Sequence, residues 1–139
     1  MFSVEEGIKH LQISGAKVTS QRIAIMKSLE GRTDHPSAEQ LFIELKPEHP
    51  TLSIATVYST TQLMAQASMI RILTIDKNKV NFDPNIQPHG HFMCRKCKRI
   101  LDLPMDVNAI VRYGRNFDIA SVDAVEVFIY GLCAECCDL

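Results

Sequence analysis

Four cysteines of this 139-residue chain form two CxxC motifs, Cys94 with Cys97 and Cys133 with Cys136. One CxxC turn presents two sulfurs to an ion, and two such turns complete the tetrahedral four-sulfur set that suits zinc. Because four thiolates leave no position for water, the motifs predict a structural zinc site and not a catalytic one. The alternatives are unrelated buried cysteines or redox pairs. The fifth cysteine, Cys137, could replace Cys136 as a ligand or stay free.

A second group of potential ligands carries imidazole and carboxylate side chains. His89 and His91 alternate along a predicted strand, so both side chains point to the same side and can meet one ion. Asp83 and Asp102 would add oxygen ligands, and this set favours Fe(II), Mn(II) or Zn(II) over copper. The alternative is ordinary surface histidines and a turn at Asp83. His35 lies at a predicted exposed corner and, taken alone, is more simply a surface residue.

The composition is that of an ordinary globular protein, with 46% hydrophobic and 22% charged residues. No apolar run has the length needed to cross a bilayer, and the first residues lack the features of a secretory signal. We therefore expect a cytoplasmic location, where cysteines stay reduced and serve as ligands or free thiols. The net charge is −1, so any contact with nucleic acid must come from a local surface.

The first half of the chain predicts four helices and a hairpin. The helices are expected at residues 4–13, from Thr19 or Ser20 to about 29, from about Ser37 to 45, and from Ser53 or 54 to about 64. Two short strands, at residues 70–75 and 79–82, flank a polar turn at residues 76–78. Helices followed by a hairpin indicate a winged helix, whose last helix is the candidate reader of a DNA groove.

The second half predicts a small α+β domain after a proline-rich linker at residues 83–88. Strands are expected near residues 92–93 and at 100–103, a helix at 106–115, and a long alternating strand at 120–130. The predicted organisation is a winged-helix DNA-binding domain (residues 1–83), a linker or hinge (84–91), and a dimerisation and metal-binding domain (92–139). The fold class is α+β.

Several stretches, in this order and spacing, resemble the ferric uptake regulator (Fur) family over nearly the whole chain. They are KVTSQR at residues 17–22, HPSAE at 35–39, ATVY at 55–58, FD at 82–83, HGHFMC at 89–94, the segment 97–102, and YGLC at 130–133. The resemblance implies a homodimeric transcriptional repressor, and not an enzyme, that binds double-stranded operator DNA when a regulatory metal is present.

The resemblance also implies that His35, Asp83, His89, His91 and Asp102 share one regulatory Fe(II) or Mn(II) ion between the two domains. Such an ion would fix the angle between domains and hence the spacing of the two recognition helices. Asp102 stands where iron-sensing members usually carry Glu, which is similar to the peroxide-sensing (PerR) branch. That branch implies that peroxide is the signal and that His35 and His89 are oxidised, which releases the DNA. The alternative is an iron- or zinc-sensing uptake regulator of the same family.

For DNA contacts we predict Tyr58, with Thr56 and Ser59 nearby on the same helix. Lys17 matches a position that reaches the minor groove in relatives, and Arg22 is a plausible phosphate contact. The alternative for Thr56, Ser59 and Arg22 is solvated helix surface.

The sequence departs from the family pattern at a further metal site, where Pro88, Gly90 and Val125 replace histidine and acidic residues. We therefore expect that site to be absent. Two other classes of function compete with a repressor. One is a zinc-stabilised interaction module without DNA binding. The other is a zinc hydrolase, against which the filled four-cysteine set argues.

Overall fold

The structure, a computed structural model, describes residues 1–137 and divides them into two compact units. Unit 1 is Met1–Ile86, and unit 2 begins at Gln87. None of the helices within residues 1–137 combines the length and apolar character that a membrane crossing requires.

Unit 1 opens with four helices: α1 (Val4–Ile13), α2 (Ser20–Leu29), α3 (Ala38–Leu45) and α4 (Ile54–Gln66). Each begins after a hydroxyl residue whose side chain accepts a hydrogen bond from a backbone N–H of the first turn: Ser3, Thr19, Ser37 and Ser53. These caps satisfy donors that a helix start leaves without intrahelical partners. The predicted extents of the four helices are confirmed.

Strands β1 (Arg71–Leu73) and β2 (Asn81–Asp83) form an antiparallel pair after the helices, as the hairpin prediction requires. Both differ from their predicted extents, and the connection spans residues 74–80 rather than three residues. The Asp76 side chain accepts a hydrogen bond from the Asn78 backbone at 2.9 Å. Because of this local turn, residues 74–80 do not take part in the β1–β2 pairing, although several of them have high strand propensity.

The core of unit 1 lies where the helices meet this hairpin. Ile25, Leu29, Leu41, Val57 and Phe82 are each fully buried. Fully burying one such side chain contributes about 1.5–3 kcal/mol to stability. The core therefore fixes how α3 and β2 pack inside unit 1, and these two elements border the segment that carries His35.

Unit 2 contains β3 (Gly90–Cys94), β4 (Ile100–Leu103), α5 (Val107–Gly114) and β5 (Phe128–Gly131). Its sheet has the order β4-β3-β5, with β3 antiparallel to β4 and parallel to β5. Helix α5 starts after Asp106, whose carboxylate accepts the Ala109 backbone N–H. The predicted α+β class is confirmed.

The long strand predicted at residues 120–130 is wrong for most of its length. Only Phe128–Gly131 pairs with β3, and in the described chain residues 120–127 lie outside any strand. Because β3 begins at Gly90, it offers no further backbone partner to the residues before Val127. A strand forms only where a neighbouring strand is available for pairing, and the alternating valines of this segment do not provide one.

Candidate metal centres and nucleic-acid surface

The sulfurs of Cys94, Cys97, Cys133 and Cys136 lie within 4.8 Å of one another. The sheet of unit 2 brings them together, because the parallel register pairs Cys94 with Gly131 at the same edge. The first CxxC motif forms the turn between β3 and β4, and the second follows β5 directly. The predicted sulfur cluster is thus assembled, and its four-thiolate donor set fits a structural zinc ion.

Backbone amides of the two turns stabilise the thiolate form of one member of this cluster, Cys94. The Cys133 backbone N–H donates to the buried Cys94 sulfur at 3.4 Å. This bond, together with a second from the Cys97 backbone, lowers the pKa of the Cys94 thiol to about 5. The thiolate is the form that binds metal, so the turn geometry favours the ligating state.

Cys137 lies outside the sulfur cluster, which contains Cys136. The backbone amides of both residues donate to the Cys133 carbonyl at 3.0 Å. The structure therefore assigns Cys136 to the cluster, where the spacing alone left both residues open.

Three of the predicted nitrogen and oxygen ligands converge in unit 2. His91 on β3 is paired in register with Asp102 on β4, and its Nε2 lies 3.5 Å from Asp102 Oδ1. His89 Nε2 lies 3.0 Å from the same oxygen, and the two imidazole rings are 4.4 Å apart. The other His89 ring nitrogen, Nδ1, lies 2.6 Å from the Gln87 carbonyl oxygen. Two imidazoles and one carboxylate thus face a common point, which is a suitable partial donor set for a divalent metal.

The two remaining predicted ligands meet in unit 1. His35 Nε2 lies 3.6 Å from Asp83 Oδ2, and the side chains are 1% and 2% exposed. Asp83 is the last residue of β2, and its other oxygen accepts the Asn85 backbone N–H at 2.8 Å. A buried imidazole beside a buried carboxylate needs a compensating charge or proton, so this pair is also suited to a cation.

The exposed position predicted for His35 is wrong. The Asn81 side chain donates to the His35 carbonyl at 2.8 Å, and the Phe82 backbone N–H donates to the Pro36 carbonyl at 2.9 Å. These bonds tie the corner onto β2, whereas the proline motif alone indicated a surface turn.

Four of the five predicted DNA-contacting residues line one open groove of about 690 Å³ between the start of α2 and α4: Lys17, Arg22, Thr56 and Ser59. The Arg22 guanidinium donates to the Lys17 backbone carbonyl at 2.7 Å, which holds the Arg22 side chain beside the start of α2. Tyr58 lies outside the residues that line the groove. It is 40% exposed, and its hydroxyl donates to Glu39 of α3 at 2.8 Å.

Comparison with known proteins decides the family. The sequence profile of the ferric uptake regulator family matches residues 13–122, which is most of the chain. The chain belongs to this family. A peroxide-responsive repressor, PerR, of Staphylococcus aureus (strain USA300) is 32% identical over 136 residues, 97% of this chain and 92% of the relative.

Solved structures of ferric uptake regulators share the fold. The regulator of Francisella tularensis, solved with iron, is 30% identical at a TM-score of 0.74, covering 88% of this chain and 95% of its own. The Helicobacter pylori regulator is 20% identical at a TM-score of 0.81, covering 97% and 94%. The second likeness supports the fold alone.

Sequence reasoning missed two features of this family member. Glu39 holds the Tyr58 hydroxyl, and that bond raises the tyrosine pKa and lowers the Glu39 pKa. Unit 2 also exposes large apolar side chains along and after α5, including Ile110, Tyr113 and Phe117. The signal for part of the second feature was present, because Ile110 and Tyr113 are three residues apart within the predicted helix and so lie on one helical face.

Proposed function

We propose that this family member is a metal-dependent transcriptional repressor that binds double-stranded operator DNA as a homodimer and releases it in response to peroxide. The observation that carries the proposal is that each unit holds part of a set of imidazole and carboxylate side chains. Unit 1 holds the His35–Asp83 pair, and unit 2 holds His89, His91 and Asp102 around a common point. Three nitrogens and two carboxylates make a donor set suited to Fe(II) or Mn(II).

In this proposal the five side chains hold one ion jointly, and the ion fixes how the units are oriented. The position of α4 relative to the dimer would then depend on metal occupancy, since α4 belongs to unit 1. Two recognition helices must match two half-sites at a fixed separation. Coupling is reciprocal, so operator DNA should tighten metal binding by the factor by which metal tightens DNA binding.

Peroxide sensing would use the ligands themselves as the target. Three imidazoles and two monodentate carboxylates would supply five donor atoms, which would leave an ion that prefers six ligands able to bind peroxide. A bound Fe(II) ion would supply the redox chemistry that activates peroxide. Each peroxide would add one oxygen atom to one imidazole ring, of His35 or of His89, and its other oxygen atom would leave as water. The oxidised ring would no longer serve as a ligand, so the response consumes the protein's own residues and is not enzyme turnover. Asp102, which resembles the peroxide-sensing branch at this position, and the PerR relative support this choice.

The sulfur cluster would play a separate role, holding a zinc ion that stabilises unit 2. The exposed apolar face of α5 supports unit 2 as the surface that joins two copies. Ile110 and Tyr113 are 40% and 66% exposed, and burying such residues in a dimer gives the favourable apolar contribution that interface cores use. A repressor of this kind would work on DNA in the cytoplasm.

Peroxide sensing is tested by mass spectrometry of peptides. The Fe(II)-loaded protein treated with sub-stoichiometric peroxide should gain the mass of one oxygen atom on the peptides that contain His35 or His89, and lose operator binding in parallel. The Mn(II)-loaded protein is the control and should bind the operator without this oxidation. Metal-dependent binding that ignores peroxide would instead identify an iron- or zinc-sensing uptake regulator.

The groove of unit 1 gives a second prediction. Lys17→Gln and Arg22→Gln should each weaken operator binding, and each should reduce the dependence of log K on log salt concentration by about 1, as expected for a lost phosphate contact. Fluorescence anisotropy at several salt concentrations measures both quantities. Lys27→Gln, an exposed residue of α2 outside the groove, makes the same charge change and should leave the salt slope unchanged. Equal slopes for all variants would remove this surface from the DNA contact.

A further inference from the structure

Arg32 joins three parts of unit 1 through a single guanidinium group. Its Nε and Nη2 donate to the two Asp34 oxygens at 2.7 and 3.0 Å. Its Nη1 and Nη2 also donate to the two Glu44 oxygens at 2.7 and 2.9 Å. A longer bond of 3.4 Å reaches the Ser28 carbonyl near the end of α2. We call the group formed by Arg32, Asp34 and Glu44 the arginine clamp.

The geometry of the clamp differs from that of an ordinary surface ion pair. The Arg32 side chain is only 19% exposed, whereas the Asp34 and Glu44 side chains are 53% and 41% exposed. Both carboxylates are bound by the guanidinium through two oxygens. Gln40 donates to the Glu44 carboxylate at 3.0 Å and so supports it from the same helix. Bidentate pairs between arginine and carboxylate restrict orientation as well as distance. The clamp therefore holds the loop after α2 at a defined position against α3.

The residue next to Asp34 is His35, whose backbone adopts an unfavourable conformation. Its φ is +52°, in the left-handed region that residues other than glycine rarely adopt. His35 also precedes Pro36, and the proline ring restricts the preceding residue to extended conformations. A conformation of this kind persists only where its surroundings over-determine it.

Two sets of bonds flank this strained residue. On its carboxyl side, Asn81 donates to the His35 carbonyl and Phe82 donates to the Pro36 carbonyl, which ties the chain to β2. On its amino side, the neighbouring Asp34 is held by Arg32 through both carboxylate oxygens. The imidazole between these anchors lies 3.6 Å from Asp83.

We propose that Arg32 is a positioning residue for the regulatory metal, because the arginine clamp holds the backbone of His35 in the conformation that directs its imidazole to Asp83. This inference rests on the proposed function of the His35–Asp83 pair. Without the bonds between Arg32 and Asp34, the loop after α2 relaxes toward favoured backbone conformations, and the His35 imidazole is no longer held near Asp83. Metal binding must then supply the ordering, which lowers the affinity.

The test measures Mn(II) affinity by calorimetry on the full-length, zinc-loaded protein. Arg32→Gln and Asp34→Asn should each weaken Mn(II) binding by about 10-fold or more, the range found when partners that orient metal ligands are removed. Arg32→Lys should also weaken it, because an ammonium group cannot bridge two carboxylates in bidentate fashion. Lys27→Gln, with the same charge change at an exposed position of α2, should bind Mn(II) as the unsubstituted protein does.

A purely structural role for the clamp gives a different pattern. It predicts a lower melting temperature of the metal-free protein with unchanged Mn(II) affinity, and that result would overturn the inference. Asp34→Asn keeps the Arg32–Glu44 pairs, so it remains informative if Arg32→Gln fails to fold. His35→Ala separates the two hypotheses. If His35→Ala leaves Mn(II) affinity unchanged, the proposed function fails, whereas a loss with His35→Ala but not with the clamp variants refutes only the role of Arg32.

Discussion

Replacing Cys94 with serine is expected to abolish zinc binding and to unfold unit 2. The four sulfurs supply a complete donor set at the edge of a three-stranded sheet. Structural zinc contributes on the order of 10 kcal/mol of apparent binding free energy in small zinc domains. This is comparable to the whole stability of an ordinary domain, about 5–15 kcal/mol. Loss of the site should therefore unfold unit 2 and, with it, abolish the proposed dimer.

The measurements for this variant are zinc content, thermal melting by circular dichroism, and mass by analytical ultracentrifugation. Cys137→Ser is the matched control, because Cys137 belongs to the second cysteine turn, next to Cys136, but lies outside the sulfur cluster. It should keep one zinc per chain and the same melting temperature. A Cys94→Ser protein that retained stoichiometric zinc and an unchanged melting curve would show that the cluster is not the zinc site. If Cys137→Ser also lost its zinc, Cys137 would be needed for the site, and the assignment of Cys136 as the fourth ligand would be wrong.

Replacing His35 with alanine is expected to remove metal-dependent operator binding while leaving zinc in place. Removing partners that only orient a ligand costs about 10- to 100-fold in metal affinity, so loss of a ligand itself should exceed about 100-fold. Asp83 would then lack the imidazole whose Nε2 lies 3.6 Å from its Oδ2. The expected result is a Mn(II) titration that no longer increases operator affinity, measured by fluorescence anisotropy at constant salt.

His10→Ala is the control for that experiment, because His10 is an exposed residue of α1 in the same unit. It should respond to Mn(II) as the unsubstituted protein does. Zinc content must remain one per chain in both variants, which shows that unit 2 is intact. If His35→Ala kept its full Mn(II) response, unit 1 would contribute no essential histidine and the ion would belong to another set of residues.

Features that depend on near neighbours in the chain were predictable from the sequence. The helix starts follow from hydroxyl caps at Thr19, Ser37 and Ser53, each of which acts three residues along the chain. The sulfur cluster followed from CxxC spacing, because each turn brings its own two sulfurs together. The order of helices and hairpin then predicted the winged helix, and the motifs of a known family supported the α+β fold.

Features that depend on distant parts of the chain were not predictable. The strand predicted at residues 120–130 failed because its length is set by β3, about thirty residues earlier in the chain. The corner at His35 was expected to be exposed, yet hydrogen bonds from Asn81 and Phe82 hold it on β2. The arginine clamp was missed for the same reason, since Glu44 of α3 contacts Arg32 of the preceding loop only in the folded chain.

The joint holding of one ion by both units is the central claim, and anomalous X-ray diffraction from crystals of the Mn(II)-loaded protein tests it most directly. We expect one manganese peak within bonding distance of His35 and Asp83 of unit 1 and of His89, His91 and Asp102 of unit 2, separate from zinc at the sulfur cluster. A manganese ion bound by the unit 2 residues alone, with His35 remote from it, would contradict the claim.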